Sequence, residues 1–133
     1  MSTNEITRAP YLAAFPENLP FWDAAARGEL LLPRCAQCNE VHWHPRAHCP
    51  FCRSDALRWE RASGKARLHT FTILGRSDAA YVLAYVQLHE GPLMLTNVVG
   101  VEPSPQALSI GMPLQVEFRQ TPQGRSAPVF RPA

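Results

Sequence analysis

Lysine is almost missing from this 133-residue chain: Lys65 stands alone beside twelve arginines, and the formal charge at neutral pH is only +2. So small a balance builds no strong field for a polyanion, which argues against a nucleic-acid partner. Long apolar runs are missing as well. None approaches the ~20 residues that span a bilayer, and the opening MSTNEITRAP has no apolar signal-peptide core. The expectation is a soluble cytoplasmic protein with no membrane partner. There is no phosphate loop and no dinucleotide fingerprint. Ser63, Ser77, Ser104, Ser109 and Ser126 lie outside any nucleophile-elbow context, and Asp78 and Glu90 read as solvated single acids near turns. The chain offers no catalytic constellation of its own.

What is present suits a globular fold. Apolar residues make up 46% and charged residues 18%, and the length fits one ordinary domain with a small appendage. Thirteen prolines cluster at the start, around the cysteines and in the last third, favouring extended segments and tight turns over helix.

The four cysteines are the strongest chemical signal. They form two pairs, Cys35-x-x-Cys38 and Cys49-x-x-Cys52, separated by ten residues. Each spacing lets one tight turn aim two thiolates at one ion, and the gap is long enough for a small hairpin that joins the pairs. Four sulfurs around a tetrahedral ion make a closed structural shell with no position for a substrate, so one zinc is expected. Iron takes the same S4 geometry and is the alternative ion. In a reducing compartment such pairs are metal ligands rather than disulfides. His42, Trp43, His44 and His48 crowd the gap. They read as ring nitrogens decorating an exposed loop or capping carbonyls, since four thiolates already fill the shell.

Residues 1–17 show no periodicity and read as an N-terminal arm. Asn18-Leu19-Pro20 looks like a helix start with Asn18 as cap, and Gly28 like its stop, giving a helix over Leu19–Arg27. Phe21 and Trp22 sit on its apolar stripe. Aromatics there pack either on the chain's own barrel or on a partner, because aromatics are favoured at interface centres. The ribbon covers about Leu30–Glu60 and is too short to bury a core of its own. Structural zinc contributes roughly 10–16 kcal/mol in finger peptides, comparable to the about 5–15 kcal/mol of a whole domain. Metal, then, should hold this part together.

From Gly64 the pattern becomes strands: Lys65–Leu74, Tyr81–His89, Leu93–Val99, Leu114–Arg119 and Pro128–Arg131. Tyr81–His89 alternates, with Val82, Ala84, Val86 and Leu88 on one face. Leu93–Val99 is apolar on both faces, as a well-covered strand would be. Five short strands predict a small barrel or sandwich. The domains read as 1–29, arm and helix; 30–62, ribbon; and 63–133, barrel.

The order of motifs carries a resemblance. Phe21-Trp22 precedes Gly28-Glu29-Leu30. The first cysteine pair follows, then Pro45-Arg46-x-x-Cys49-Pro50-x-Cys52, Trp59, Ser63-Gly64, a Glu90-Gly91-Pro92 turn, an Ile110–Phe118 strand and a terminal P-V-F-R-P. Over about residues 15–132 this resembles the zinc-ribbon/OB-fold accessory family found beside thiolases and related acyl-CoA enzymes. Asn39 departs from the glycine usual after the first cysteine pair, and asparagine also tolerates positive φ.

The resemblance implies a helical arm, a rubredoxin-like zinc ribbon and a five-stranded OB barrel. It further implies a non-catalytic subunit of a thiolase, aldolase or synthase complex, with acyl-CoA at the OB domain, partner contacts on the arm and ribbon, and the nucleophilic cysteine in the partner. Partner contact would then fall to Phe21 and Trp22. Arg58, Arg61, Lys65 and Arg67 are the cations placed to meet CoA phosphates. A homodimer and a hetero-oligomer both remain open. A single-stranded nucleic-acid module is the competing reading, since ribbons and OB folds both occur in such proteins. A rubredoxin-like electron carrier is a third.

Overall fold

The computed structural model describes residues 15–122 and 124–133. The arm expected over residues 1–17 lies outside the described residues up to position 14. The chain divides into two compact units: Met1–Ala62 with Phe118–Ala127, and Ser63–Glu117 with Pro128–Ala133.

The first unit opens with a 3-10 turn, Pro16–Asn18, that runs directly into helix α1, Leu19–Ala26. Asn18 does not cap this helix. Its backbone is itself helical, with φ −89° and ψ −9°, and its side chain makes no capping bond. The preceding turn supplies the start instead, with the Leu19 N–H donating to the Pro16 carbonyl. Pro20 is tolerated in the first turn because its missing N–H would have no intrahelical acceptor there. Phe21, Ala24 and Ala25 fall on one stripe and are buried. Gly28 ends the helix as its sequence position suggested. The Gly28 N–H donates to the Ala25 carbonyl at 3.0 Å and the Glu29 N–H to the Ala24 carbonyl at 2.9 Å, a Schellman closure. Gly28 has φ +77° with open space around it, so the conformation and not the packing selects glycine.

Strand β1, Leu31–Cys35, pairs antiparallel with β2, Leu57–Arg61, from Leu31↔Arg61 to Cys35↔Leu57. The hairpin expected inside the ten-residue gap does not form. The segment between Cys38 and Cys49 makes only one bridge, from Val41 back to Arg34 of β1. The ladder that supports the cysteines is β1–β2, and the second cysteine pair lies in the connection between these strands.

The second unit holds most of five strands that close into a barrel in the order β3-β4-β5-β7-β6. They are β3, Lys65–Leu74; β4, Tyr81–Leu88; β5, Leu93–Val98; β6, Pro113–Gln120; and β7, Ser126–Pro132. The mainly β architecture with an OB-type barrel agrees with the pattern of the sequence. Alternation places Leu68, Val82, Val86, Leu88, Met94 and Phe130 inside, all at most 2% exposed. A bulge between Leu68 and Thr70 shifts the β3–β4 register by one residue, so Phe71 and Ile73 continue the inward face after it. Buried Thr96 is satisfied by donating to the Pro128 carbonyl at 3.1 Å. Gly64, at φ +81°, leaves no room for a side chain: a Cβ there would lie 2.6 Å from Val116 Cγ1.

Strand β5 differs from expectation. Its two apolar faces are not both covered: Met94 and Val98 point inward, while Leu93 and Leu95 are exposed. Periodicity reports apolarity and cannot say whether the chain itself supplies the cover.

Candidate functional site

The cysteine cluster is assembled from two copies of one local turn. In the first, the Asn39 N–H donates to the Cys35 carbonyl at 2.9 Å, and the Cys35 N–H to the Glu40 carbonyl at 2.9 Å. In the second, the Arg53 N–H donates to the Cys49 carbonyl at 2.9 Å and the Cys49 N–H to the Ser54 carbonyl at 2.8 Å. The residue after each pair has positive φ: Asn39 at 65° and Arg53 at 68°. Asn39 therefore does the work of the usual glycine. Arg53 was not legible as a left-handed position, because arginine rarely occupies one. Backbone N–H groups also point at the sulfurs, from Cys38 to Cys35 Sγ at 3.5 Å and from Phe51 to Cys49 Sγ at 3.4 Å.

The four sulfurs lie within 4.8 Å of one another, with Cys35–Cys52 at 3.5 Å and Cys38–Cys49 at 3.7 Å. A tetrahedron with metal–sulfur bonds of about 2.3 Å has sulfur–sulfur edges of about 3.8 Å. A disulfide would bring two sulfurs to about 2.05 Å. The spacing therefore fits one tetrahedral ion and excludes bridged cysteines. Cys35 and Cys49 are fully buried. The Cys38 N–H pulls the Cys35 thiol down to about 6. At Cys38 the Glu40 N–H also acts to lower, but burial and the neighbouring thiols outweigh it and push the group up to about 12. Four thiolates this close cannot all ionise alone; a bound dication is what would let them. The Arg34 guanidinium braces the first turn, donating to the Asn39 carbonyl at 2.6 Å and pairing with Glu60 of β2.

The histidines do not form a cluster. His42 is 3% exposed and neither ring nitrogen has a hydrogen-bond partner, so it is not the exposed or carbonyl-capping side chain expected. Burial first, and then the charge of Arg46, lower its pKa. His44 approaches Asn18, Nε2 to Nδ2, at 3.5 Å, and His48 is exposed. Among the described residues no histidine ring bonds a serine hydroxyl or a carboxylate.

Phe21 is buried against Trp43, with ring centroids 4.8 Å apart, and meets Trp22 edge-on at 5.2 Å. The cover for Phe21 is thus a ring of the ribbon. Trp22 keeps partial exposure and carries the Arg125 guanidinium 5.8 Å from its ring centroid. Of the four cations singled out, Arg58 and Arg61 lie on β2 in the first unit and are exposed. Lys65 and Arg67 alternate on the outer face of β3 in the second unit. These two share a cleft of about 420 Å³ with Gln87, His89 and Gln115. The last three were missed. Register alone could have found two of them, since Gln87 is the cross-strand partner of Arg67 and Gln115 that of Lys65.

Comparison with known proteins agrees with this geometry. Residues 22–58 match the family model for the ChsH2 rubredoxin-like zinc ribbon domain, and residues 59–119 that for the ChsH2 C-terminal OB-fold domain. A protein of Thermomonospora curvata named a probable enoyl-CoA hydratase alpha subunit is 32% identical over 119 residues. That match takes in 85% of this chain and only 37% of the relative, so the chain spans little more than a third of that protein. A DUF35 domain-containing scaffold protein of Methanothermobacter thermautotrophicus is 31% identical over 94 residues, 65% of this chain and 69% of the relative. The solved structure of an Ltp2-ChsH2(DUF35) aldolase contains a chain that superposes with a TM-score of 0.77 at 30% identity, over 87% of this chain and 94% of that one. A DUF35-family protein from Sulfolobus solfataricus, at 14% identity and TM-score 0.69, shares the fold over 97% of this chain and 92% of its own. With ribbon, barrel and cysteine cage all matched, the chain belongs to the ChsH2-type DUF35 family, a rubredoxin-like zinc ribbon followed by an OB-fold domain.

Proposed function

We propose that this chain is a non-catalytic accessory subunit that scaffolds a thiolase-like, aldolase or synthase partner and takes part in binding its acyl-CoA. The observation that carries the reading is the 30% identity to the DUF35 chain of an aldolase assembly, over nearly that chain's whole length. Relatives named scaffold proteins support the same role. The chemistry of the site is consistent with it. The four sulfurs form a closed shell without a position for substrate, and Cys35, Cys38, Cys49 and Cys52 hold zinc as a structural ion. Four thiols kept as ligands suit a reducing compartment, and we place the chain in the cytoplasm. No helix among the described residues is long and apolar enough to cross a membrane. The hydratase name of one relative belongs to a chain far longer than this one.

Within this reading Trp22 offers the partly exposed aromatic surface for a partner, and Lys65 and Arg67 offer the charges for CoA phosphates. Arg58 and Arg61 remain as separate exposed cations. Co-expression with a thiolase-like or aldolase enzyme of the same organism tests the role. A complex on size exclusion, with partner activity reduced when this chain is left out, is the expected result. Separate elution together with unchanged activity would overturn it. Metal analysis should return one zinc per chain, whereas a coloured iron protein with a reversible redox wave would favour electron transfer.

A further inference from the structure

Eight large apolar side chains stand out as exposed among the described residues, and five of them share one surface. Leu74, Tyr81, Tyr85, Leu93 and Leu95 all lie on the outer face of β3–β4–β5. Register fixes this: Leu74 lies opposite Tyr81, Thr70 opposite Tyr85, Tyr85 opposite Leu95, and Gln87 opposite both Arg67 and Leu93. Single exposed apolar residues are ordinary, but a contiguous group marks a place where something binds. A shallow depression of about 170 Å³ sits within the group, lined by Thr70, Thr72, Leu83, Tyr85 and Leu95.

The same face changes character along the strands. Toward Lys65 and Arg67 it becomes cationic and opens into the 420 Å³ cleft, whose other polar side chains are Gln87, His89 and Gln115. No Asp or Glu side chain lines that cleft. The acid of the adjoining turn, Glu90, is held by the Ser63 N–H at 2.8 Å. Arg67 gives one N–H to the Gly111 carbonyl at 2.9 Å and has others to offer, and Lys65 has no ion pair among the described residues. At about 3.4 Å per residue, the six steps from Gln87 to Tyr81 cover roughly 20 Å.

We infer that the outer face of β3–β4–β5 is one amphipathic ligand track. Phosphate oxygens would be received by Lys65, Arg67 and the amides of the cleft, the pantetheine arm would lie along Tyr85 and Leu95, and the acyl chain would reach Leu74 and Tyr81. Charge complementarity selects the occupant: a ligand with phosphates at one end and a long apolar arm at the other, which a bare apolar protein surface is not. The inference rests on the acyl-CoA reading above and assigns that ligand its place and direction.

Calorimetric titration of the zinc-loaded full chain with octanoyl-CoA, CoA and octanoate tests it. Octanoyl-CoA should bind tightest. The pair Lys65→Ala/Arg67→Ala should weaken octanoyl-CoA and CoA alike by about tenfold or more, the scale of lost charged hydrogen bonds. The pair Leu74→Ser/Tyr81→Ser should bring octanoyl-CoA down to the level of CoA and leave CoA itself unchanged. These four positions are on the surface, and an unchanged thermal midpoint confirms that each variant is folded. CoA binding indifferent to both pairs would overturn the track while leaving the acyl-CoA reading intact. No binding of octanoyl-CoA or CoA would overturn both. Binding of a dT12 oligonucleotide that Tyr85→Ser abolishes and octanoyl-CoA fails to displace would overturn the track in favour of a nucleic-acid face.

Discussion

The ribbon unit combines two five-residue strands, an eight-residue helix and four thiols, and its large buried side chains include Phe21, Leu30 and Leu32. In the barrel unit, five strands close on a continuous interior that runs from Leu68 through Val86, Leu88 and Met94 to Phe130. The two units share one chain and reach order by different means. The barrel removes enough apolar surface from water to hold its own register. The ribbon gathers thiols that repel one another when ionised, so a bound cation is expected to order it. The difference also separates the roles. The ribbon's chemistry is spent on its own ion, whereas the barrel's outer face remains uncovered.

The sharpest way to break the comparison is to remove one ligand. Cys49→Ser should abolish retention of the ion and unfold β1, β2 and α1, because most of the roughly 10–16 kcal/mol that structural zinc contributes in finger peptides is lost. The barrel amides should keep their chemical shifts in an NMR spectrum of the variant. The reverse experiment is Phe130→Ala, which empties a fully buried site. A loss of about 3–5 kcal/mol in denaturant unfolding is expected, with one zinc per chain still bound at low denaturant.

Smaller changes sharpen the picture inside the ribbon. Gly28→Ala forces a side chain into φ +77° and should lower stability by about 1–2 kcal/mol, with the α1 amides the first to exchange. The gentlest test concerns His42. Burial holds its folded pKa below the unfolded value of 6.5, so the folded state binds fewer protons than the unfolded chain in the window just below that pH. The stability tied to neutral His42 is therefore complete above about 6.5 and declines as pH falls toward the lowered value. His42→Phe removes the unpartnered nitrogens, and its midpoint should fall less than that of the parent chain between neutral and mildly acid pH.

Much of this was written in the chain. The alternation of Val82, Ala84, Val86 and Leu88 fixes β4, and the C-x-x-C pairs fix the cage, because period and spacing are local properties. Strand β2 carries only a short alternation, Leu57 and Trp59 against Arg58 and Glu60, and five residues are too few for periodicity to separate a strand from a loop. The 3-10 turn before α1, the bulge after Leu68 and the burial of His42 depend on neighbours distant in sequence, and no local pattern announces them. The cleft around Lys65 and Arg67 was half visible: the charges could be picked out, whereas Gln87, His89 and Gln115 join them only once three strands are in register. The exposed Leu93 and Leu95 show the same limit, because an apolar residue looks alike whether its own chain or a ligand covers it.

The central claim is that one ion orders the ribbon and the barrel stands without it. Amide hydrogen exchange on the zinc-loaded chain, before and after removal of the metal by a chelator, measures this directly. Protection should vanish in Leu31–Cys35 and Leu57–Arg61 and persist in Tyr81–Leu88 and Leu93–Val98. Simultaneous loss of protection in both units, or its retention in the ribbon after the metal has gone, would contradict the account.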